Sequence, residues 1–452
     1  MKRLTLLLAC VSYFSLAYSQ DELQVKRIAD DVMKNSTAYD NLRVLCKTIG
    51  PRLSGSVNAA RAVQLGMDMM RAAGADTVWL QPCMVPHWER GKKESGTVSG
   101  AGIKPYRLRL AALGNSVGTG PKAVRAQVIE VRSMADLHAK GNQLKGKIVF
   151  VNIPMNPLYI RTFQAYGESG IGRRSGASQA AKYGALAVMV RSLASNIDSF
   201  PHTGVLQYND SFPKIPAVAV STLDAEWLSK TLASTTLTAT LQTNCRMLPD
   251  EPSFNVIGEL RGKDKPGEII TVGGHLDSWD LAEGAHDDGT GCMQSIEVLA
   301  SLHRLGIRPL RTVRAVLFMN EENGGRGSDA YLQSAKLKNE QHIFALESDA
   351  GGFTPRGFGL DMTTERMEKI KSWAPLFRPY GVTEIEKGGG GSDIGPLKSI
   401  GASLAGFMPD SQRYFDLHHA SNDRFEAVSK RELDLGIVNM TALIWLVSEY
   451  GL

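Results

Sequence analysis

Residues 251–452 alternate between strand-like and helix-like segments, and this alternation constrains the fold more than any other feature of the chain. Short apolar runs typical of buried strands are separated by segments with the helical period, such as 291–306 and 432–450. Strands that alternate with helices favour a parallel sheet, because each helix carries the chain back to the edge where the next strand begins. We therefore predict an α/β fold, a three-layer sandwich around a mostly parallel central sheet.

Four of the apolar runs are followed by side chains that can bind a metal ion. In chain order these side chains are His275 and Asp277, Glu321 and Glu322, Asp349, and, after a loop, His418 and His419. Ligands of open α/β sheets bind beyond the carboxyl ends of the strands, so we expect these residues to lie close together. A mixture of His, Asp and Glu without thiolates suits a hydrolytic zinc or manganese site better than a structural zinc site.

The stretch 284–291, GAHDDGTG, adds two more aspartates between the first two of these runs. It lacks the alternating acidic positions and the closing glutamate of an EF-hand, which argues against a calcium loop. Five or so ligands are too many for one tetrahedral ion with an open position, and two ions that share a carboxylate account for them. Asp280, Glu283 and His286 are predicted to lie in a solvated loop between the ligands.

The first residues of the chain predict a secretory signal peptide. They combine a basic start, an apolar run from Leu4 to Ala17 and small residues before the expected cleavage point, which places the peptide at 1–19. The run is shorter than the roughly twenty residues that a membrane-spanning helix needs. Cys10 loosely resembles a lipoprotein site, although the apolar run continues past it. We expect a secreted or periplasmic protein without a membrane span.

Charge and cysteine content exclude little else. The formal net charge of +5 comes from 51 basic and 46 acidic residues without a block of like charge, so no nucleic-acid partner is predicted. The cysteines after the signal peptide form no close pair, which is unlike a disulfide framework or a thiolate zinc site. They are Cys46, Cys83, Cys245 and Cys292, and their pairing stays open.

The middle of the chain has a different residue pattern from the segments on either side of it. Residues 97–250 contain short β-rich runs separated by Gly, Pro and Asn turns, and only two histidines, His138 and His202. We predict an inserted accessory domain at 97–250. The parts of the main domain would then be 20–96 and 251–452, with the metal site in the second part.

The motifs HLDS, GAHDDGTG, NEENGG, ESDAGG and HHASND resemble those of the co-catalytic zinc exopeptidases in their order and separation. This family includes secreted bacterial aminopeptidases and plasma glutamate carboxypeptidase (carboxypeptidase Q), and GGHLDSWD, ESDAGGF and SDIGPL are most similar to the carboxypeptidase-like branch. The middle block resembles a protease-associated domain through GKIVFV, KYGALAVMV, PHTG and IPAVAVS.

The resemblance implies two zinc ions per chain, with manganese or cobalt as possible substitutes. It assigns the ligands to two sets that share one residue, His275, Asp287 and Asp349 in the first set and Asp287, Glu322 and His419 in the second. Glu321 would be the general base, and the carboxylate of Asp277 would orient the His275 imidazole. Such an enzyme would hydrolyse short peptides or dipeptides with a hydroxide that bridges the two ions.

In two places the chain has two identical adjacent residues, and only one of each pair can correspond to the metal ligand of the family. The histidine of the family is followed four residues later by an aspartate, and His419 has that relation to Asp423 whereas His418 does not. The bridging aspartate of the family is the first of its pair, so the resemblance selects Asp287, and it implies a cis peptide bond between Asp287 and Asp288.

The end of the peptide that the enzyme would cleave stays open. The aminopeptidase branch more often has a histidine where this chain has Ile394, which favours the carboxypeptidase-like branch, and Ser392 and Asp393 are candidate substrate contacts. A carboxylate side chain would bind a free amino terminus, whereas a basic side chain would bind a free carboxyl terminus. Side chains of both charges occur around Arg326, Asp393 and Arg413.

Two other classes of function are compatible with a fold of this kind. One is a binding module like the transferrin receptor, which resembles this family but has lost metal ligands. The other is a single-zinc glutaminyl cyclase. The complete ligand set argues against both, and the inserted block argues further against the cyclase. A homodimer is possible.

Overall fold

The computed structural model describes residues 20–452, so the predicted signal peptide lies outside the described residues. The described chain forms the following strands in order: β1 (Thr77–Glu89), β2 (Ser95–Gly100), β3 (Ile103–Arg107), β4 (Leu110–Ala112), β5 (Val124–Val131), β6 (Ile148–Val151), β7 (Ala187–Arg191), β8 (Ala217–Val220), β9 (Leu237–Gln242), β10 (Arg246–Leu260), β11 (Lys265–His275), β12 (Arg311–Phe318), β13 (Gln341–Glu347), β14 (Pro355–Asp361), β15 (Glu384–Lys387) and β16 (Ser403–Pro409).

The helices connect and cover these strands. They are α1 (20–35), α2 (Ala38–Val44), α3 (Val57–Ala72), α4 (Met134–Lys140), α5 (Thr162–Ala181), α6 (Thr222–Leu232), α7 (Thr290–Arg304), α8 (Arg326–Leu337), α9 (Thr364–Ser372), α10 (Ala374–Phe377) and α11 (Lys430–Tyr450). Serine side chains accept a hydrogen bond from the first turn of several of them, including Ser56 before α3 and Ser429 before α11, and so cap otherwise unpaired N–H groups.

The strands form two sheets of eight strands each. The first has the order β1-β10-β12-β11-β13-β16-β14-β15, and its central four strands run parallel to one another. These four are the apolar runs after which the candidate metal ligands were found in the sequence. The prediction of an α/β fold around a largely parallel sheet is therefore confirmed.

The second sheet has the order β3-β2-β9-β5-β6-β7-β8-β4. Its strands lie between residues 95 and 242, and we call 95–242 the second-sheet unit. The segments GKIVFV, KYGALAVMV and IPAVAVS correspond to β6, β7 and β8, which are parallel neighbours in this sheet. The expected division at 97 and 250 stays a prediction.

Strand β12 shows how the first sheet is covered on both faces. Val313, Ala315 and Leu317 belong to the apolar cluster that contains residues of α3, α7 and α11, whereas Val316 and Phe318 belong to the cluster with residues of α8. Successive side chains of a strand point to opposite faces, so this alternation places helices on both sides. The result is the three-layer sandwich expected from the sequence.

Helix α11 is long and apolar enough to cross a membrane by length and composition, but 83% of its most apolar window is buried within the fold. It packs against α7 and the first sheet. A helix that is apolar on all sides is expected at the centre of a large core, which explains its composition.

Candidate metal centre

The candidate ligands come together at the carboxyl edge of the first sheet. His275 is the last residue of β11, Glu322 follows β12, Asp349 follows β13, and His419 lies in the loop after β16. The remaining candidate, Asp287, lies in the turn that leads into α7. Residues from five separate segments therefore converge because four parallel strands end at one edge and α7 begins there.

Asp287 faces both halves of this group. Its Oδ1 lies 3.2 Å from Nε2 of His275, which is also 3.4 Å from Oδ1 of Asp349. Its Oδ2 lies 3.3 Å from Nε2 of His419, which is 3.1 Å from Oε2 of Glu322. The donor atoms of His275, Asp287 and Asp349 lie within 4.8 Å of one another, a spacing that a single ion could bridge.

The donor set fits hard or borderline divalent cations. Asp287 Oδ2 is buried and accepts no hydrogen bond within the described residues, which leaves its lone pairs available. Burial raises the pKa of Glu322 well above its ordinary value, and the nearby carboxylate of Asp287 raises it further. Because buried carboxylates that face each other need positive charge to stabilise them, the residues present are suited to bind divalent metal ions.

The histidines have different charge states in the metal-free site. Burial opposes the protonation of His275, but the carboxylates of Asp349 and Asp287 outweigh it and raise the pKa of His275 well above its ordinary value. Burial lowers the pKa of His419 well below its ordinary value, and the neighbouring ring of His418 lowers it further. His419 is therefore neutral, which is the form that binds a metal ion.

The choice between the two neighbouring histidines favours His419. The nearest approach of His418 Nε2 to Asp287 Oδ2 is 3.8 Å, against 3.3 Å for His419, and the two rings stack with their centroids 3.5 Å apart. His418 nevertheless belongs to a second group of possible ligands with Asp287 and His419. Asp423 does not contact His419 by a hydrogen bond; it accepts hydrogen bonds from the main-chain N–H groups of His286 and Asp287 at 2.8 and 3.1 Å.

The peptide bond between Asp287 and Asp288 is cis, as the resemblance implied. The Asp288 carboxylate accepts hydrogen bonds from the N–H groups of His275 and Gly291, both at 3.0 Å. Asp288 thus ties the end of β11 to the first turn of α7 and leaves Asp287 free to face the other ligands.

The expected role of Asp277 needs a correction. Nδ1 of His275 lies 3.0 Å from the main-chain oxygen of Asp277, so this carbonyl orients the imidazole, and the carboxylate does not. The carboxylate instead accepts hydrogen bonds from the N–H groups of Asn320 and Glu321 at 2.7 and 3.2 Å, and from that of Glu322 at 3.4 Å. Asp277 therefore holds the main chain of both glutamates after β12.

Those two glutamates point in different directions, as expected for consecutive residues. Glu322 is buried, and its Oε1 accepts a hydrogen bond from the N–H of Trp279 at 3.1 Å. Glu321 is half-buried. Burial raises the pKa of Glu321, His275 opposes this and the surrounding carboxylates add to it, and the net result is a pKa of about 7.

The loop before Asp287 is not the solvated turn that the sequence suggested. His286 is buried, stacks on Phe353 with ring centroids 4.2 Å apart, and accepts a hydrogen bond from the N–H of Gly352. Asp280 forms an ion pair with Arg90 at 2.6 Å. These residues fix the path of the loop, so they are structural and not merely exposed.

Two residues of the site were missed by sequence reasoning. Glu347, at the end of β13, accepts hydrogen bonds from three consecutive N–H groups, those of Ser392, Asp393 and Ile394, at 2.8 to 2.9 Å. Arg173 of α5 is buried with Nη1 3.4 Å from Nδ1 of His419. Glu347 stands in the ESDAGG motif, but the motif does not indicate its distant partners, and no local pattern marks Arg173.

The candidate residues for substrate contacts differ in their exposure to solvent. Ser392, Arg326 and Arg413 are exposed, whereas Asp393 is buried and neither of its carboxylate oxygens has a hydrogen-bond partner within the described residues.

Cys46, Cys83, Cys245 and Cys292 are buried free thiols. None of the described cysteines is close enough to another to form a disulfide.

Comparison with known proteins identifies the family and the fold. The model of peptidase family M28 matches residues 255–443. The chain is 36% identical to carboxypeptidase Q of Bos taurus over 419 residues, which cover 91% of this chain and 84% of that protein. It also resembles the structure of a peptidase M28 precursor from Shewanella amazonensis, with a TM-score of 0.91, 28% identity, and coverage of 95% of this chain and 97% of that one.

A more distant likeness extends the fold comparison. A zinc aminopeptidase from Bacillus subtilis has a TM-score of 0.65 and 23% identity, with coverage of 91% of this chain and 94% of that chain. At that identity the likeness shows the fold alone. Among the hypotheses raised by the sequence, the relatives favour the peptidase over the binding module and the cyclase. The chain belongs to peptidase family M28 and is a metallopeptidase.

Proposed function

We propose that the protein is a zinc-dependent exopeptidase that binds two zinc ions at the carboxyl edge of the first sheet. The position of Asp287 supports this most strongly, because its two oxygens face two separate sets of ligands. His275 and Asp349 would complete one set, and Glu322 and His419 the other. When bound, two zinc ions lower the pKa of an attacking water and polarise the scissile carbonyl.

Glu321 is proposed as the general base. It lies next to Glu322 at the same edge, and its main chain is held by the Asp277 carboxylate. A carboxylate whose pKa lies near 7 can take a proton at neutral pH and give it back, which suits a group that removes the water proton and delivers it to the leaving amine.

Arg173 supports a substrate with a free carboxylate. Its guanidinium donates a hydrogen bond to the Tyr166 hydroxyl at 2.6 Å, its Nε has no partner within the described residues, and no carboxylate of those residues forms an ion pair with it. A buried charge without a counter-ion is costly, so an anionic group of the substrate would stabilise it. Together with the proximity of His419, this favours short peptides or dipeptides whose carboxyl terminus is unblocked.

The remaining parts of the proposal concern location and organisation. We propose a secreted or periplasmic protein, on the basis of the predicted signal peptide at 1–19, and a protease-associated insertion at 97–250. The relatedness to carboxypeptidase Q along most of both chains supports the same overall organisation. A homodimer stays a prediction.

A peptide panel tests this function. Dipeptides and tripeptides, free or blocked at either end, would be assayed after chelation and again after zinc is restored. We expect activity to return with zinc, and amidation of the carboxyl terminus to reduce kcat/KM more than acetylation of the amino terminus. The reverse preference would indicate an aminopeptidase, and full activity on peptides blocked at both ends would exclude an exopeptidase.

The variant Glu321→Ala tests the general base within the same panel. We expect kcat to fall by about 10²–10⁴-fold, because proton transfer by a positioned carboxylate contributes on that order. Zinc content should not change, since Glu321 is not among the proposed ligands. Glu368→Ala, at an exposed position of α9, is the matched control. Activity that survives Glu321→Ala would refute this role.

A further inference from the structure

The loop that carries the two histidines is held by the second-sheet unit. This loop, 411–420, follows β16 of the first sheet but is contacted along its length by the other unit, and we call it the histidine loop. Its partners there are Ile160, Thr162, Phe163, Tyr166, His202 and Thr203. The first contact is a hydrogen bond from the Thr162 hydroxyl to the Ser411 oxygen at 2.9 Å.

Two of these contacts fall on the main chain of the histidines themselves. Nδ1 of His202 lies 2.6 Å from the carbonyl oxygen of His418, and since a carbonyl can only accept, His202 donates. The N–H of Thr203 donates to the carbonyl oxygen of His419 at 3.0 Å. Two consecutive carbonyl groups of the histidine loop are therefore fixed by two consecutive residues of the second-sheet unit.

The same segment orients the His419 ring. Nδ1 of His419 lies 3.3 Å from the carbonyl oxygen of Thr203, slightly closer than the 3.4 Å to Nη1 of Arg173, and donation to this carbonyl places the proton on Nδ1 and leaves the Nε2 lone pair free. Nε2 is the atom that faces Asp287 and Glu322. Histidines that bind metals usually donate their other ring N–H in this way, which fixes the tautomer and the ring plane.

Thr203 and His202 are themselves anchored in the second-sheet unit. Thr203 is fully buried and donates from its hydroxyl to the Ala112 oxygen at 2.8 Å, while the N–H of His202 donates to the Ser192 hydroxyl at 2.8 Å. His419 has a φ of 62°, a left-handed conformation that non-glycine residues seldom adopt without such support. The segment is thus a rigid support for a strained residue.

We propose that His202 and Thr203 are positioning residues for the metal ligand His419, so that the second-sheet unit sets the affinity of one of the two zinc ions. This inference rests on the proposed function. The ion held by Glu322 and His419 would depend on the contact between the units. The ion held by His275 and Asp349 would not, because those residues belong to the first sheet and its loops.

The test measures zinc affinity and not only activity. The metal-free full-length protein would be titrated with zinc against a chromophoric chelator for the wild type, His202→Leu and His202→Asn. We expect His202→Leu to weaken one of two sites by about 10-fold, the lower end of the effect of losing a direct partner of a ligand, because His202 holds the main chain next to His419, and to leave the other unchanged. His202→Asn, whose side-chain N–H can replace Nδ1, should retain most of the affinity.

Further variants identify the affected ion and guard against misfolding. The zinc site that His202→Leu weakens should be the same site that Glu322→Ala weakens, and a different site from the one that Asp349→Ala weakens. Thr162→Val, which removes one hydroxyl from the same contact, should weaken the same site by a smaller factor. If His202→Leu does not fold, Thr162→Val carries the test.

The outcomes for the two proposals are separable. A wild type that binds one zinc ion would contradict the proposed two-zinc site and this inference with it. A wild type that binds two ions, together with foldable variants that bind both with wild-type affinity, would overturn this inference alone.

Discussion

At the residue scale, the site is shaped by buried carboxylates that accept hydrogen bonds from the main chain of other segments. The carboxylate of Asp277 accepts hydrogen bonds from the N–H groups that follow β12, and that of Asp288 accepts them from β11 and α7. The carboxylate of Asp423 accepts hydrogen bonds from N–H groups just before α7, and that of Glu347 accepts them from residues 392–394. Carboxylate oxygens that accept several N–H bonds make strong, directional contacts. These ties hold the ligand-bearing loops in place independently of a metal ion.

The sequence could predict the ligands but not these ties. His275, Glu322 and Asp349 stand at or just beyond the ends of strands, and a parallel sheet brings strand ends together. Asp423 follows no strand, and although Glu347 ends β13, neither position indicates its partners, since these are main-chain groups that any residue could provide. The expected role of Asp277 was assigned to the wrong atom for the same reason, because sequence does not distinguish a carbonyl contact from a carboxylate contact.

The charge state of the metal-free site predicts that zinc binding releases protons. His275 and Glu322 both have pKa values raised well above their ordinary ranges, so each holds its proton to a higher pH than a free side chain does, and a metal ion must displace that proton. Zinc affinity should therefore rise with pH through the neutral range. Calorimetric titration at pH 7 in buffers of different ionisation enthalpy should show release of about one proton or more per chain. Binding without proton release would contradict this description of the site.

At the element scale, the strands that the sequence identified became the parallel centres of the two sheets. The first three turns of helix α5 contain several glycines, which disfavour helix. The structure explains their presence. A Cβ at Gly172 would lie 3.0 Å from a methyl group of Val151, so the small residue lets α5 pack closely on β6. Tertiary packing has outweighed local propensity there.

Glycine at position 291 has a comparable role in the site. It lies in the first turn of α7, where an added Cβ would meet the Ser348 carbonyl oxygen at 1.9 Å and the Asp288 carboxylate at 2.5 Å. The absence of a side chain lets α7 approach the end of β13, and this brings Asp287 next to Asp349.

We therefore expect Gly291→Ala to destabilise the protein by about 1–3 kcal/mol or more and to weaken zinc binding, since main-chain atoms would have to move. Gly167→Ala is the matched control, because Gly167 is an exposed residue within α5 whose added Cβ meets nothing within 4 Å. That change should stabilise the protein by about 0.5–1 kcal/mol. Denaturant unfolding of both variants measures the two effects, and equal effects would refute the packing argument.

At the scale of the whole molecule, the sequence suggested two units with all of the chemistry in one. The structure places Thr203 and Arg173 of the second-sheet unit against His419, and His202 against the main chain of His418. These contacts join residues more than 200 positions apart, and a single sequence carries no signal for them. Only the convergence of the candidate ligands was predictable, because it follows from the topology of one sheet.

The same contacts predict how the molecule responds to loss of metal. Because the loops are tied by Asp277, Asp288, Asp423 and Glu347, and the histidine loop by the second-sheet unit, the fold should survive chelation. Bound zinc still stabilises the native state by mass action, by about 2.7 kcal/mol at a free concentration 100 times Kd. Chelation should therefore lower the Tm in differential scanning calorimetry and leave the far-ultraviolet circular dichroism spectrum at 25 °C unchanged. Loss of that spectrum on chelation would show that zinc, and not the network of main-chain contacts, organises this edge of the sheet.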